Sequence, residues 1–506
     1  MKKTIFIKNA AILTASSLIL RFIGIIFKIW LAGKIGSEGI GLYQLTFSVY
    51  VLASTFATSG ICTAVTRLLA DEMALGSKKG VIRILKRSIM LSLLIAVVSL
   101  LVLFLRADFI AGRLLGDLRA ALSIKILSFS LPFMAVSSCI KGYFFARRKA
   151  TPNALTQLFE QGVRIVVVLV YIKLFGGRGL AFLCAGVLLG DTVAEGLSLL
   201  VLYLGYLLDK KRLNSLGGRA NPPFSVTKEI SRIALPITLG RYLNSALRTV
   251  ENILVPRTLS RYQGSASAAL SQFGMIKGMA LPILFFPSTL LNALSTLLIP
   301  EMSSALALGR RGILKYGTQR ILQITGLVSF VFSAIFFVAG GEIGKLFYKS
   351  EDVGILLKLL APLVPLMYLD SISDGILKGL DQQNFTFITA VTDSSIRIVL
   401  IFLILGKRGL LGFIGIMYFS NIYTCFFHVR RLIKISGAKI SFTKFILMPL
   451  IFSFTCALSF DSILKGFSVS GLVYIILLCA FVGISYFLYL FLTKTVTTDD
   501  VRDLMK

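Results

Sequence analysis

The chain has 506 residues, of which 56% are hydrophobic and 15% charged, with a mean hydropathy of +0.85. That composition excludes an ordinary soluble domain and fits a polytopic membrane protein. A net charge of +31 would suggest nucleic acid in a soluble chain. No aromatic-basic RNA motif and no soluble domain carries it here, so the meaning of the charge depends on where it lies relative to a bilayer.

The start, Met1-Lys2-Lys3 followed by an apolar run to about Ala32, has no small-residue cleavage site and reads as a first transmembrane helix. Apolar segments punctuated by charged loops then predict fourteen spans, at 10–33, 41–69, 88–105, 120–145, 154–175, 180–208, 230–255, 269–306, 317–340, 355–379, 385–405, 410–429, 443–460 and 470–493. With the N-terminus cytoplasmic, inside segments hold roughly twice as many of the 54 Lys and Arg residues as outside loops, so both termini are expected in the cytoplasm. The excess positive charge then serves topology and contact with anionic membrane lipids. The longest polar connection, Asp209 to Glu229, follows span 6.

Chemistry-bearing residues are few. Cys62, Cys139, Cys184, Cys425, Cys456 and Cys479 all fall in apolar stretches without CxxC spacing and read as small core residues. The single histidine, His428, is expected at a helix end beside Arg430 and Arg431, which leaves almost no material for a zinc or histidine-based centre. There is no GxxxxGK[ST] loop for nucleotide hydrolysis.

Charged and helix-bending residues recur at fixed offsets. A shift of 220 places Arg21 on Arg241 and Lys28 on Arg248. A shift of 233 aligns Pro132 with Pro365, Gly142 with Gly375, Glu160 with Asp393 and Arg164 with Arg397. We read a repeat of spans 1–6 in spans 7–12, with spans 13 and 14 added. The expected organisation is an N-lobe at 1–208, a cytoplasmic linker at 209–229, a C-lobe at 230–433, and a final helix pair with tail at 434–506. Six spans per unit make the repeats parallel, an arrangement in which the substrate pathway commonly lies between the halves.

Cations fall inside the spans themselves. Arg67, Lys125 and Lys141 lie near helix ends and are expected to snorkel. Arg21, Arg164, Arg241 and Arg248 lie deeper, where each costs roughly 2.5–3.5 kcal/mol and usually faces a cavity or a partner. Seven residues apart means one helix face, about 10 Å along the axis. Arg21, Lys28, Arg241 and Arg248, with Lys277, therefore suit an anion with several oxygens, above all a pyrophosphate. The alternative has Lys28 and Arg248 snorkelling outward and Arg241 pairing locally. Glu160 with Arg164 and Asp393 with Arg397 are i,i+4 pairs that read as internal salt bridges. Asp191 and Glu195 are two acids on one face with no cation nearby in sequence. They are candidates for binding Na⁺ or sharing a proton, or else for packing, and Glu251 and Asp374 have similar status. Gly24, Pro132, Pro236, Pro282, Pro287 and Pro365 permit bends.

The stretch "KNAAILTASSLILRFIGIIFKIWLAGKIGSEGIGLYQL", Lys8 to Leu45, resembles the stage V sporulation protein B and polysaccharide-export branch of the multidrug/oligosaccharidyl-lipid/polysaccharide (MOP) flippase superfamily, which also holds lipid II flippases and MATE exporters. The resemblance covers essentially the whole chain. It implies an all-α, MATE-like fold of about 14 transmembrane helices and a transporter rather than an enzyme. It further implies flipping of an undecaprenyl-pyrophosphate-linked saccharide by alternating access, in the cytoplasmic or forespore membrane, alongside cell-wall synthases. Lipid II flippases carry an arginine early in helix 1 and a glycine three residues on, which Arg21 and Gly24 match. Their next arginine would fall at Phe27, where this chain has Lys28 one residue later, and their acid near the start of helix 2 is replaced by Leu42. A cation-coupled multidrug antiporter of the same fold predicts a cavity dominated by acids. A membrane-embedded lipid-processing enzyme predicts catalytic carboxylates at the membrane surface, where only scattered acids such as Glu351, Asp352 and Asp381 occur.

Overall fold

The computed structural model describes residues 2–58, 60–211, 225–439, 441 and 443–493. Most of the expected linker, at 212–224, and the tail from 494 lie outside the described residues. Among the described residues every element is helical, as expected of an all-α polytopic protein. Eleven helical runs are long and apolar enough by composition to cross a membrane. Two of them, Ile12–Ala74 and Gln383–Ser436, each hold two of the expected spans. Spans 5 and 7 are also helices, Thr151–Phe175 and Val226–Gln263, outside those eleven runs.

Spans 1 and 2 are not separated by a loop. Helix Lys2–Thr58 runs through, interrupted only at Gly36, where φ 71 and ψ 178 turn the chain without adding residues. A left-handed φ suits glycine, which has no Cβ to clash. Several helices also outrun their apolar windows. Lys78–Leu105 begins ten residues before the expected span because the Ser77 hydroxyl caps it, accepting from the Gly80 amide at 3.1 Å. Ser225 and Ser350 cap Val226–Gln263 and Glu351–Leu360 in the same way. A capped polar first turn lets a helix continue past the hydrocarbon into the interfacial zone.

The described residues cluster into two compact units, one of 1–27 with 35–271 and one of 28–34 with 272–506. In the first, Ile61, Val65, Leu69, Ile84, Tyr143 and Phe144 form a buried core, and Ile230 joins it from Val226–Gln263. That helix, assigned from sequence to the second lobe, thus packs within the first unit. In the second, Arg311–Tyr348 lies against Glu351–Leu360 through Gly340, Gly344 and Gly354, where a side chain would meet backbone. Spans 13 and 14 join each other by stacked rings, Phe460 on Phe481 at 3.8 Å and Phe452 on Tyr489 at 4.2 Å. All six cysteines are free thiols.

Candidate functional site

Helix Val226–Gln263 is held in the first unit by specific contacts along its length. Near its start Arg87 Nε donates to the Thr227 hydroxyl at 3.2 Å. Gly60, at φ 74, lets the backbone pass against Ala234 and Thr238, a place any Cβ would fill. Tyr242 meets Phe56 edge to face at 5.6 Å. The Thr249 hydroxyl donates to the Ser48 carbonyl at 3.1 Å, and Asn252 Nδ2 donates to the Ser48 hydroxyl at 2.9 Å.

So docked, the helix turns one face toward a cavity of about 540 Å³ inside the first unit. Arg241 and Arg248 both line it, two turns apart as their spacing requires. Lys141 lines it from Ser130–Ala146 and Glu195 from Leu180–Lys210, with Val51 and Met134 among the apolar walls. The side chains of Lys141, Arg241, Arg248 and Glu195 make no ion pair or hydrogen bond among the described residues. Three cations therefore face the space with one carboxylate.

Lys141 departs from the snorkelling expected of it. Its helix is among the more buried in the first unit, with Cys139, Ile140, Tyr143 and Phe144 in the core around it, so the ammonium opens onto the cavity rather than toward lipid. Lys125 pairs with Asp108 at 2.8 Å, and Arg67 is exposed.

A second layer of charge lies on the neighbouring helices. Arg164 makes its i,i+4 contact with Glu160 at 3.1 Å and also an ion pair with Asp191 on the next helix. Gln161 Oε1 accepts from Arg164 at 2.9 Å, and the Ser198 hydroxyl donates to Glu160 at 3.4 Å. Asp191, without a cation in its own sequence neighbourhood, thus takes one from a helix 27 residues earlier. Glu195 stays in the cavity, 9% exposed.

The remaining candidates are placed elsewhere. Arg21 is exposed and does not line this cavity. Lys28 and Lys277 belong to the second unit, where Lys277 lies 6.0 Å from the Phe413 ring centre. Glu251 is buried. In the second unit Arg397 meets Asp393 at 3.2 Å while the Ser420 hydroxyl donates to Asp393 at 2.7 Å. Asp374 pairs with Lys378 at 2.5 Å. His428 is inside a helix rather than at its end, because Gly406–Ser436 continues past it. It is buried, with Nδ1 2.7 Å from Asp370 Oδ1. Among the described residues no three His, Cys, Asp or Glu side chains gather as a metal site.

Comparison with known proteins agrees with a helical membrane protein. A family model described as "Polysaccharide biosynthesis protein" matches residues 6–306. Stage V sporulation protein B of Bacillus subtilis (strain 168) is 26% identical over 418 residues, covering 82% of this chain and 80% of that protein. Lipid II flippase MurJ of the same organism is 21% identical over 425 residues, covering 78% and 76%. Among solved structures, an inward-facing MATE family multidrug resistance transporter of the MOP superfamily superposes with a TM-score of 0.66 at 15% identity, covering 84% of this chain and all of that one. A Pyrococcus furiosus MOP transporter, described as having a binding pocket of reversed polarity, superposes at 0.59 with 16% identity, covering 86% and 97%. At these identities the solved structures speak for the fold alone.

Proposed function

Because the chain belongs to the polysaccharide biosynthesis protein family, within the MOP flippase superfamily, we propose that it flips an undecaprenyl-pyrophosphate-linked saccharide across the bacterial cytoplasmic membrane by alternating access. The observation that carries this reading is the cavity lined by Lys141, Arg241 and Arg248, whose side chains make no ion pair or hydrogen bond among the described residues. Unpaired cations in a membrane protein are costly, and a ligand with several anionic oxygens offsets that cost. A pyrophosphate fits the chemistry; an organic cation does not. Lipid II in spore cortex synthesis is the substrate we favour, by likeness to the two Bacillus relatives, with the lipid tail remaining in the bilayer. In this reading both termini are cytoplasmic, basic loops rest on anionic lipids, and cell-wall synthases consume the flipped product. Transport is driven by the membrane potential or by an Na⁺ or H⁺ gradient, for which Asp191, Glu195, Glu251 and Asp374 are the candidate carboxylates.

The test is transbilayer movement of fluorescent lipid II in proteoliposomes. Wild type should move it, and the Arg241→Ala/Arg248→Ala double variant should not, while keeping its melting temperature. Equal movement by both would remove the cavity cations from the mechanism.

A further inference from the structure

The cavity holds a feature that binding of a pyrophosphate does not itself require. Glu195 is buried to 9% exposure, lines the same space as the three cations, and has no hydrogen-bond or ion-pair partner among the described residues. A bare anion site would be served better without it. A buried carboxylate with no donor is costly, and a ligand that brings a negative charge close to it meets repulsion. The ligand complementary to this wall is therefore limited in charge and carries a hydrogen-bond donor.

We infer that Glu195 selects a diphosphate capped by a sugar over the bare lipid diphosphate. The inference rests on the cavity being the anion site proposed above. A capped diphosphate has two phosphodiester groups and carries two negative charges, while its first sugar offers hydroxyl or amide N–H donors to the Glu195 oxygens. The bare diphosphate ends in a phosphate monoester, which carries up to one further charge near neutral pH and brings no donor of that kind. Three cations less one carboxylate leave two positive charges on the wall, which matches the capped headgroup. The layer behind acts in the same direction, since Arg164 there is shared by two acids, Glu160 and Asp191. With Arg164 counted, that layer holds one net negative charge, which also disfavours a third charge on the ligand. A site of this kind takes up the loaded carrier and leaves the stripped carrier in the membrane, so the sugar itself licenses entry.

The experiment measures binding of two probes of equal lipid length to the full-length protein in nanodiscs, a polyprenyl-diphospho-N-acetylglucosamine and the corresponding polyprenyl diphosphate. Wild type is expected to favour the capped probe by at least about tenfold, the size of an unsatisfied buried group. Glu195→Gln, which keeps the size and removes the charge, should bring the two affinities close together, chiefly by strengthening the bare probe. Arg241→Ala/Arg248→Ala should weaken both probes. If Glu195→Gln leaves the preference unchanged, or if wild type favours the bare probe, the inference is overturned even where the double variant shows the cavity to be the anion site. If the double variant weakens neither probe, the anion-site reading fails and this inference with it.

Discussion

Arg164 is bound to Asp191 across two neighbouring helices, while Glu160, one turn away on its own helix, holds the same guanidinium at 3.1 Å. One cation thus serves two carboxylates within the apolar part of the chain. Removing the cation leaves both acids buried without compensation. Arg164→Leu is expected to destabilise the protein by about 3–5 kcal/mol, the usual cost of breaking a buried pair from one side. Adding Glu160→Gln and Asp191→Asn to that variant should restore part of the loss. Thermal unfolding in detergent measures both, and a triple variant no more stable than Arg164→Leu would show that the acids find other partners.

The docking of helix Val226–Gln263 depends on a small set of polar contacts at Ser48. Asn252→Ala removes the amide that donates to the Ser48 hydroxyl, and should cost about 1 kcal/mol. A double-mutant cycle with Ser48→Ala tests it: the two losses should add to less than their sum, because they report one bond. Full additivity would mean that the bond contributes nothing.

Gly60 is a sharper test of the same docking. Its φ of 74 disfavours any other residue, and a methyl group there would run into the Ala234 carbonyl. Gly60→Ala should destabilise by about 1–3 kcal/mol and loosen the helix carrying Arg241. Hydrogen exchange around residues 230–240 should rise in that variant, whereas unchanged exchange would place the strain elsewhere.

Lys141 separates binding from folding. Its ammonium makes no ion pair or hydrogen bond among the described residues, so Lys141→Ala should leave the stability within about 1 kcal/mol of wild type. Binding of a lipid diphosphate should nevertheless fall. A variant that melts early but binds normally would make Lys141 a structural residue.

Much of this was legible in the order of the residues. Hydropathy located most of the helices, and the four-residue spacings of Glu160 with Arg164 and Asp393 with Arg397 placed each pair on one helix face, where the structure has them in contact. The seven-residue spacing put Arg241 and Arg248 on one face, and both line the cavity. What lay hidden depended on which helix faces which. Lys141 looked like any lysine near a helix end, because burial of its helix is a tertiary fact. Asp191 looked unpartnered, because its arginine comes from another helix. The break between spans 1 and 2 was expected at 34–40, where Lys34, Ser37 and Glu38 interrupt the apolar run, and the turn at Gly36 falls there; that the helix resumes at once without a loop was not legible.

The central claim is that the cations of this cavity hold the anionic headgroup of a lipid-linked saccharide. Native mass spectrometry of the purified protein with lipid II, using an uncharged polyprenol as control, tests it most directly. The account predicts lipid II adducts on wild type, their loss in Arg241→Ala/Arg248→Ala with folding intact, and no difference between the two proteins in polyprenol binding. Undiminished lipid II binding by the folded double variant would contradict it.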